Sequence, residues 1–382
     1  MTHTRVRRAR NWDYRYTWVR DAAFTLWALH ALGFDAEADD FLAFLGDVLE
    51  PDAASEEESA PERMLRVLYS VDGMTPHPET ELDHLSGYGG SRPVRVGNAA
   101  EAQEQFDLLG AIVDCVYQHT RSRDTLSEGA WRIVVQAVEA ALRCWTQPDH
   151  SIWETRGEAQ HFTFSKVMCW VAADRGARLA ALRGETERAD RWWDASLEIH
   201  ADICDHGIDE KGRFTQAYGS AELDASLLLL PLVRFLPPND ERLRLTVLAI
   251  ADELGSDGFV RRYRTETTDD GLSEPEASFT VCSFWLVSAL AEIGELGRAR
   301  KLCERLLGSA SSLGLYGEEL DAVTGRHLGN FPQALTHLAL VNAVLHVIEA
   351  EQTRNEFSIG STASPSWWEA AERDERPGAK PV

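Results

Sequence analysis

Residues with chemical potential gather in three places along the chain. The first is Asn11-Trp12-Asp13-Tyr14-Arg15-Tyr16-Thr17-Trp18-Val19-Arg20-Asp21, with two Trp, two Tyr, two Arg and two Asp in eleven positions. Aromatic planes stack on the C–H faces of a polyhydroxylated ring, and charged forks hydrogen-bond its hydroxyls. The stretch also reads as an aromatic-rich helix entry with a structural Arg–Asp pair, because an amphipathic pattern from Ala22 to His30 follows at once. The second place is Trp153-Glu154-Thr155-Arg156-Gly157. A loop glutamate is ordinarily just solvated, but an adjacent indole can desolvate it and raise its pKa, as a general acid requires. The third is Gly317-Glu318-Glu319-Leu320-Asp321, where two glutamates precede a turn and have no helix to stabilise.

Other candidates carry weaker signals. Lys166 reads either as a cation orienting a carboxylate or hydroxyl, or as a snorkelling surface side chain. His161 reads as a ligand contact or as a helix-start histidine bonded to backbone. Glu222 and Asp224 suit the first turn of a helix. Asp269-Asp270-Gly271, followed by Glu276, lacks enough ligands at metal spacing and reads as a turn, so no metal is expected. The glycine-rich Gly87-Tyr88-Gly89-Gly90 has no phosphate-loop lysine after it, which argues against a nucleotide; no cofactor is expected.

These residues must be held by helices. Apolar residues recur three and four apart almost throughout, and strand signals are scarce. The pattern gives helices near 18–31, 36–50, 98–118, 124–146, 161–182, 185–205, 221–235, 239–255, 275–291, 294–308, 331–340 and 341–352, with one bent helix as the alternative for the last two. Asn98 suits an N-cap for the third, and Asn330 or Gly329 before Phe331-Pro332 suits a helix start with Pro near its first position. Short links alternate with long ones, at 9–17, 51–97, 147–160, 206–220, 256–274 and 309–330. Two antiparallel helices return the chain to the same side, so all long loops emerge at one end. Six hairpins then make an all-α (α/α)6 toroid with a pocket at that end. An open α-solenoid is the alternative, and the absence of a visible repeat favours the ring.

Composition narrows the partners. The 382 residues carry a formal net charge of −24, and only Lys166, Lys211, Lys301 and Lys380 supply lysine. Nucleic acid and anionic membrane need a basic face and are not expected. The acidic Pro51–Glu62 patch reads as a solvated insertion. The six cysteines have no CxxC spacing and fit buried thiols in a reducing compartment. RVRRAR at the N-terminus lacks the apolar segment of a signal peptide, and no run suggests a membrane span, so a cytoplasmic location is expected. Residues from about 353 on, Trp367-Trp368 apart, read as a polar tail.

With both acidic loops in view, the chain resembles glycoside hydrolase family 15, which includes glucoamylases, glucodextranases and microbial trehalases. The likeness rests on ordered blocks between about residues 9 and 352: NWDYRYTWVRDAAFTLWAL, GYGGSRPVRVGNAAEAQ, SIWETRGEAQHFTFSKVMCWVA, AELDASLLLLPLVRFLPP and GLYGEELDAVTGRHLGNFPQALTHLALVNA. The resemblance implies an (α/α)6 catalytic domain over 1–352 and inverting hydrolysis by two glutamates, with Glu154 as general acid and Glu318 as general base. It places Tyr14, Trp18, Arg20 and Asp21 on the terminal sugar, with Trp153 lining the same pocket, and Arg262 and Trp285 matching more loosely. The implied activity is exo-acting release of β-glucose from malto- or isomalto-oligosaccharides, with α,α-trehalose as the alternative substrate. Relatives commonly carry an N-terminal β-sandwich domain, whereas here the first motif stands about ten residues in, so that domain is expected to be a separate polypeptide, to have been lost, or to be missing from an incomplete reading frame. That departure raises a second class of reading: a carbohydrate-binding or partner-dependent subunit, working with a separate N-terminal-domain chain or as a homo-oligomer. A phosphorolytic enzyme is the remaining reading and lacks a phosphate motif.

Overall fold

A computed structural model describes residues 11–34, 36–49, 65–87, 90–123, 125–256, 258–268, 271 and 277–359. The N-terminal arginine run, the whole acidic 51–62 patch, Tyr88, Asp269, Asp270, Glu276 and the tail from residue 360 lie outside them.

Ten α-helices form among the described residues: α1 (Val19–Ala31), α2 (Ala36–Leu49), α3 (Asp107–Arg123), α4 (Glu128–Cys144), α5 (Thr163–Leu182), α6 (Thr186–His206), α7 (Glu241–Glu253), α8 (Thr280–Glu292), α9 (Leu296–Leu307) and α10 (Ala334–Ile359). A 3-10 segment, Ala225–Leu229, stands in sequence between α6 and α7. The order of packing closes a circle. α1 lies against α3, α3 against α5, α5 against the 3-10 segment, that segment against α8, α8 against α10, and α10 against α1. These six are the inner wall; α2, α4, α6, α7 and α9 pack outside it. This is the expected (α/α)6 ring.

The division follows from side-chain patterning. Inner α8 is buried on every side from Thr280 to Ala291, so its sequence is apolar all round. Outer α9 buries only Ala299, Leu302, Cys303 and Leu306, a three-and-four spacing that leaves its charges in water. Inner helices also approach closely: a Cβ on Gly110 of α3 would lie 2.1 Å from the Met168 carbonyl oxygen of α5.

Four expected helices differ. The 98–118 helix begins at Asp107, because Asn98 caps a 3-10 turn (Ala99–Ala102) and the Asp149 carboxylate takes the Phe106 N–H at 3.0 Å. The 221–235 helix is the 3-10 segment followed by turns: Asp224 caps it by accepting from Ser226 N, and Pro231 has no N–H to continue it. The two helices after residue 331 are one, starting at Ala334 rather than at Pro332. That helix continues to Ile359, so the start of the expected tail at 353 is helical. Ala334–Arg354 also has the length and apolar character of a membrane span, against the sequence expectation, yet here it is an inner member of the ring.

Among the described residues, nine two-residue strands tie the loops together. β1 (Thr17–Trp18) pairs with β2 (Leu68–Tyr69), β3 (Thr80–Glu81) with β4 (Arg95–Val96), and β5 (Gly255–Ser256) with β6 (Phe259–Val260). β7 (Ser278–Phe279), β8 (Glu319–Leu320) and β9 (His327–Leu328) form a three-stranded antiparallel sheet. The inner segments begin at this looped end. At their other end a second cavity of about 420 Å³ opens, and Phe24, Trp285, Leu335 and Leu338 line both it and the looped-end pocket.

Candidate active site

The looped end holds a pocket of about 430 Å³. All nine positions singled out from the sequence line it: Glu154 and Glu318, the quartet Tyr14, Trp18, Arg20 and Asp21, and the trio Trp153, Arg262 and Trp285.

Arg20 is the anchor of one wall. It is buried at the first turn of α1, where β1 and the bond from Val19 N to Val67 O at 3.1 Å fix the entry of the helix. Its Nη1 donates to Gln105 Oε1 at 2.7 Å and to Asp107 Oδ2 at 3.2 Å. Its Nη2 donates to Glu154 Oε1 at 3.2 Å and lies 3.7 Å from Asp21 Oδ2. Burial disfavours the Arg20 charge, and Asp107, Asp21 and Glu154 more than offset it. Gln105 and Asp107 were not readable from the sequence, being 85 and 87 residues away.

Glu154 sits in a left-handed backbone conformation (φ 56°) at the tip of its turn. Gln103 Nε2 holds that turn by donating to the Thr155 carbonyl at 3.0 Å. Burial pushes the Glu154 carboxyl up to about 7, against the pull of Arg20 and with help from Asp21. Next to it, Trp153 Nε1 donates to both oxygens of Asp224, at 2.8 and 3.0 Å. The Trp153 ring lies 5.9 Å from Phe279 and 5.9 Å from Trp285, and the Arg262 guanidinium sits 5.3 Å from its centre. Asp224 is therefore more than a first-turn acid: it both caps a 3-10 turn and locks an indole.

Glu318 comes from another loop, one residue before β8. Its N–H donates to Asn330 O at 2.8 Å, its carbonyl accepts from Thr280 N at 2.9 Å, and Asn330 N donates to its Oε2 at 3.0 Å. Gly329 makes room for that carboxylate: a Cβ there would lie 2.4 Å from Oε2. Tyr14 lines the same pocket and feels the charges of both acids. Its phenol is pushed well above the ordinary tyrosine range, by the surrounding protein first and then by the charges of Glu318 and Glu154. Trp18, 6.0 Å from Tyr14, points a buried Nε1 donor that has no partner among the described residues.

Two weaker candidates fall away from the pocket. Lys166 is neither a surface side chain nor a pocket cation: it is 1% exposed and donates to the Gln147 carbonyl, with its pKa lowered by burial. His161 stacks on Tyr218 at 6.0 Å instead of meeting the pocket. No cluster of metal ligands occurs among the described residues. The six cysteines are free thiols, five of them buried.

The ring and the two glutamates that separate loops bring to one pocket define an (α/α)6 barrel with a two-carboxylate site. Glucoamylase from Saccharomycopsis fibuligera shares that fold, with a TM-score of 0.67 at 12% identity over 89% of this chain and 87% of the glucoamylase. The chain belongs to the glycosyl hydrolases family 15, whose family model matches residues 3–345. It is 59% identical to the trehalase of Mycobacterium tuberculosis over 343 residues, covering 90% of this chain and 50% of that protein. It is 57% identical to the trehalase of Mycolicibacterium smegmatis over 350 residues, covering 92% of this chain and 52% of that protein. The chain thus spans about half the length of the curated relatives it matches.

Proposed function

We propose that this chain hydrolyses α,α-trehalose with inversion at one anomeric centre. The observation that carries the reading is the pairing of a carboxyl raised to about 7, Glu154, with a second glutamate, Glu318, across one pocket. The choice of trehalose over malto- or isomalto-oligosaccharides, which the motifs alone put first, is supported by the trehalases at 59% and 57% identity.

In this reading Glu154, protonated, donates to the glycosidic oxygen as the bond breaks. Glu318, ionised, takes a proton from the water that attacks the opposite face of C1. An inverting pair stands roughly 6.5–9.5 Å apart to leave room for that water. Arg20 and Asp21 grip hydroxyls of the cleaved sugar, and bonds that tighten in the oxocarbenium-like state lower the barrier. The open Nε1 of Trp18 is a donor for a sugar oxygen. Tyr14, in the same pocket as both acids, offers oxygen and π density to the developing positive charge. Trp153 and Trp285 form the apolar wall that keeps Glu154 dry.

Proton NMR of the chain mixed with trehalose tests this directly. Equal α- and β-glucose from the first minutes is the expected result, since only one of the two sugars is inverted. α-Glucose alone at early times means retention and removes the mechanism. Hydrolysis of maltose or isomaltose in parallel, with trehalose left intact, removes the substrate assignment.

A further inference from the structure

The Trp153 indole is latched at its edge as well as packed on its face. The latch is Asp224, 71 residues further along the chain, whose two carboxylate oxygens both take the indole N–H. Two more donors fix that carboxylate. Ser226 N donates to Oδ1 at 2.7 Å, and Gln216 Nε2 donates to Oδ2 at 2.9 Å. Gln216 is held in turn by its backbone, its N–H on Glu222 O at 2.8 Å and its carbonyl under Thr163 N at 2.9 Å. The residue after Asp224 is tied down too, Ala225 N donating to Arg262 O at 2.8 Å. Asp224 is 2% exposed, so the latch is a rigid internal anchor and not a surface contact.

Elsewhere the indole meets the loop of the other acid. Phe279 stands nearly perpendicular to it, at 89°. Phe279 is the residue paired with Glu319 in β7 and β8, and Thr280, the next residue, donates its N–H to the Glu318 carbonyl. Trp153 therefore bridges the turn that carries Asp224 and the strands beside Glu318, and Glu154 follows it directly in the chain. A tryptophan N–H taken out of water needs an acceptor. Without the carboxylate, the ring gains by turning its N–H toward solvent, and the wall opens beside Glu154.

We infer that Asp224 is a positioning residue for the reaction: by holding the Trp153 N–H it keeps the indole between water and the general acid Glu154. This rests on the glycosidase reading above and adds to it the group that governs how dry the acid is. Burial is the first cause of the raised Glu154 carboxyl. The charged and titratable groups that face Glu154 are Arg20 and Asp21 from α1, Arg262, and Tyr14, with Glu318 in the same pocket. Burial also raises the Asp224 carboxyl, against its three donors. With the latch cut, water reaches Glu154, burial raises it less, and its protonated fraction above neutrality falls.

The test is the pH dependence of kcat/KM on trehalose and on α-glucosyl fluoride, whose leaving group departs with little help from a proton. Asp224→Ser, Asp224→Asn and Trp153→Phe are compared with the unaltered chain, together with each Asp224 change placed in Trp153→Phe, all checked for folding by thermal melting. Asp224→Ser keeps an oxygen to cap Ser226 N and is too short to reach the indole. It is expected to move the alkaline limb on trehalose down by about one pH unit, a loss of about tenfold on that limb, and to change the fluoride rate less than about threefold. Asp224→Asn keeps one acceptor but sets an NH2 against Ser226 N or Gln216 Nε2, so the displacement is smaller and in the same direction; it carries the test should Asp224→Ser fail to fold. In Trp153→Phe, which has no N–H to hold, neither Asp224 change moves the limb further. A limb unmoved by the Asp224 changes overturns the inference. So does a displacement that persists in Trp153→Phe, since Asp224 then acts as a charge and not through the indole. An unaltered chain inactive on both substrates overturns the glycosidase reading instead, and the two failures are therefore distinct.

Discussion

Arg20 Nη2 lies 3.2 Å from Glu154 Oε1, yet the Glu154 carboxyl is raised to about 7. A neighbouring guanidinium ordinarily lowers a carboxyl pKa. Here burial outweighs it, and much of the Arg20 charge is engaged by Asp107 and Gln105 on its other nitrogen. For a general acid, the protonated form is the active one. Activity on trehalose is expected to fall about tenfold per pH unit above about 7. Fluoride departs with less help from a proton, so that alkaline limb should be weak or missing with α-glucosyl fluoride. Parallel pH profiles check this, and a full limb shared by both substrates counts against Glu154 as the acid.

The same burial makes Glu154 a source of instability. Its folded pKa, about 7, is above the ordinary 4.5, so its contribution is fully present below about 4.5 and is lost as pH rises through 7. Glu154→Gln removes that loss. At pH 8 the variant should be more stable by about 2 kcal/mol, allowing for the part of the side chain that water reaches. The advantage should vanish by about pH 4.5. Turnover should drop by about 10²–10⁴. Denaturant melts at the two pH values decide the first point, and a variant no more stable at pH 8 would falsify it.

Glu318 depends on a neighbour with no side chain. A methyl group at Gly329 would lie 2.4 Å from its Oε2, at a backbone φ of 70°. Gly329→Ala should displace the carboxylate and lower kcat by about 10² or more, since misplacement on the ångström scale costs that much. KM should change little and stability by about 1 kcal/mol. Steady-state kinetics with a melt reads both, and near-normal turnover would detach Glu318 from the chemistry.

Removing Arg20 leaves Asp107, 1% exposed, without its cation. Arg20→Met should therefore cost about 3–5 kcal/mol of stability, and Arg20→Met combined with Asp107→Leu should recover a good part of that. Activity should not return in the double variant, because the hydroxyl-gripping fork is still gone. Recovery of activity along with stability would reduce Arg20 to a structural role.

Gly110→Ala tests the ring. Its methyl would sit 2.1 Å from the Met168 carbonyl oxygen, a backbone atom that moves only if α3 and α5 part. The expected loss is about 3 kcal/mol or more, read as a lower melting temperature or insoluble protein. An unchanged melt means the two helices are not in such close contact.

Much of this was legible in the sequence because its signals are local. The alternation of short and long links points to the ring, with an open solenoid as its alternative, and Glu154 stands out by the indole beside it, Glu318 and Glu319 by having no helix to stabilise. What escaped depends on partners far along the chain. Asp107 and Gln105 look like ordinary helix-start residues until Arg20 reaches them. Trp12, Arg156 and the Glu79–Arg95 pair come from three loops, and nothing local to any of them points to the others. Lys166 defeated a composition argument, since a lysine is rarely buried unless paired; it finds a carbonyl instead. The run Leu227–Leu230 has the apolar content of a helix, but Asp224 and Pro231 bracket it too tightly for one to form.

Phe24, Trp285, Leu335 and Leu338 have space on both sides, the pocket above and a cavity of about 420 Å³ below. Mechanically they are a diaphragm, not a floor. Packed cores resist compression because every side chain has neighbours behind it; these four do not. Hydrostatic pressure acts on internal void volume, so it should bow this partition and shift Trp285 against Trp153 before the surrounding ring gives way. On the proposed reading, the partition that shields Glu154 from water is then also the wall that pressure should move first.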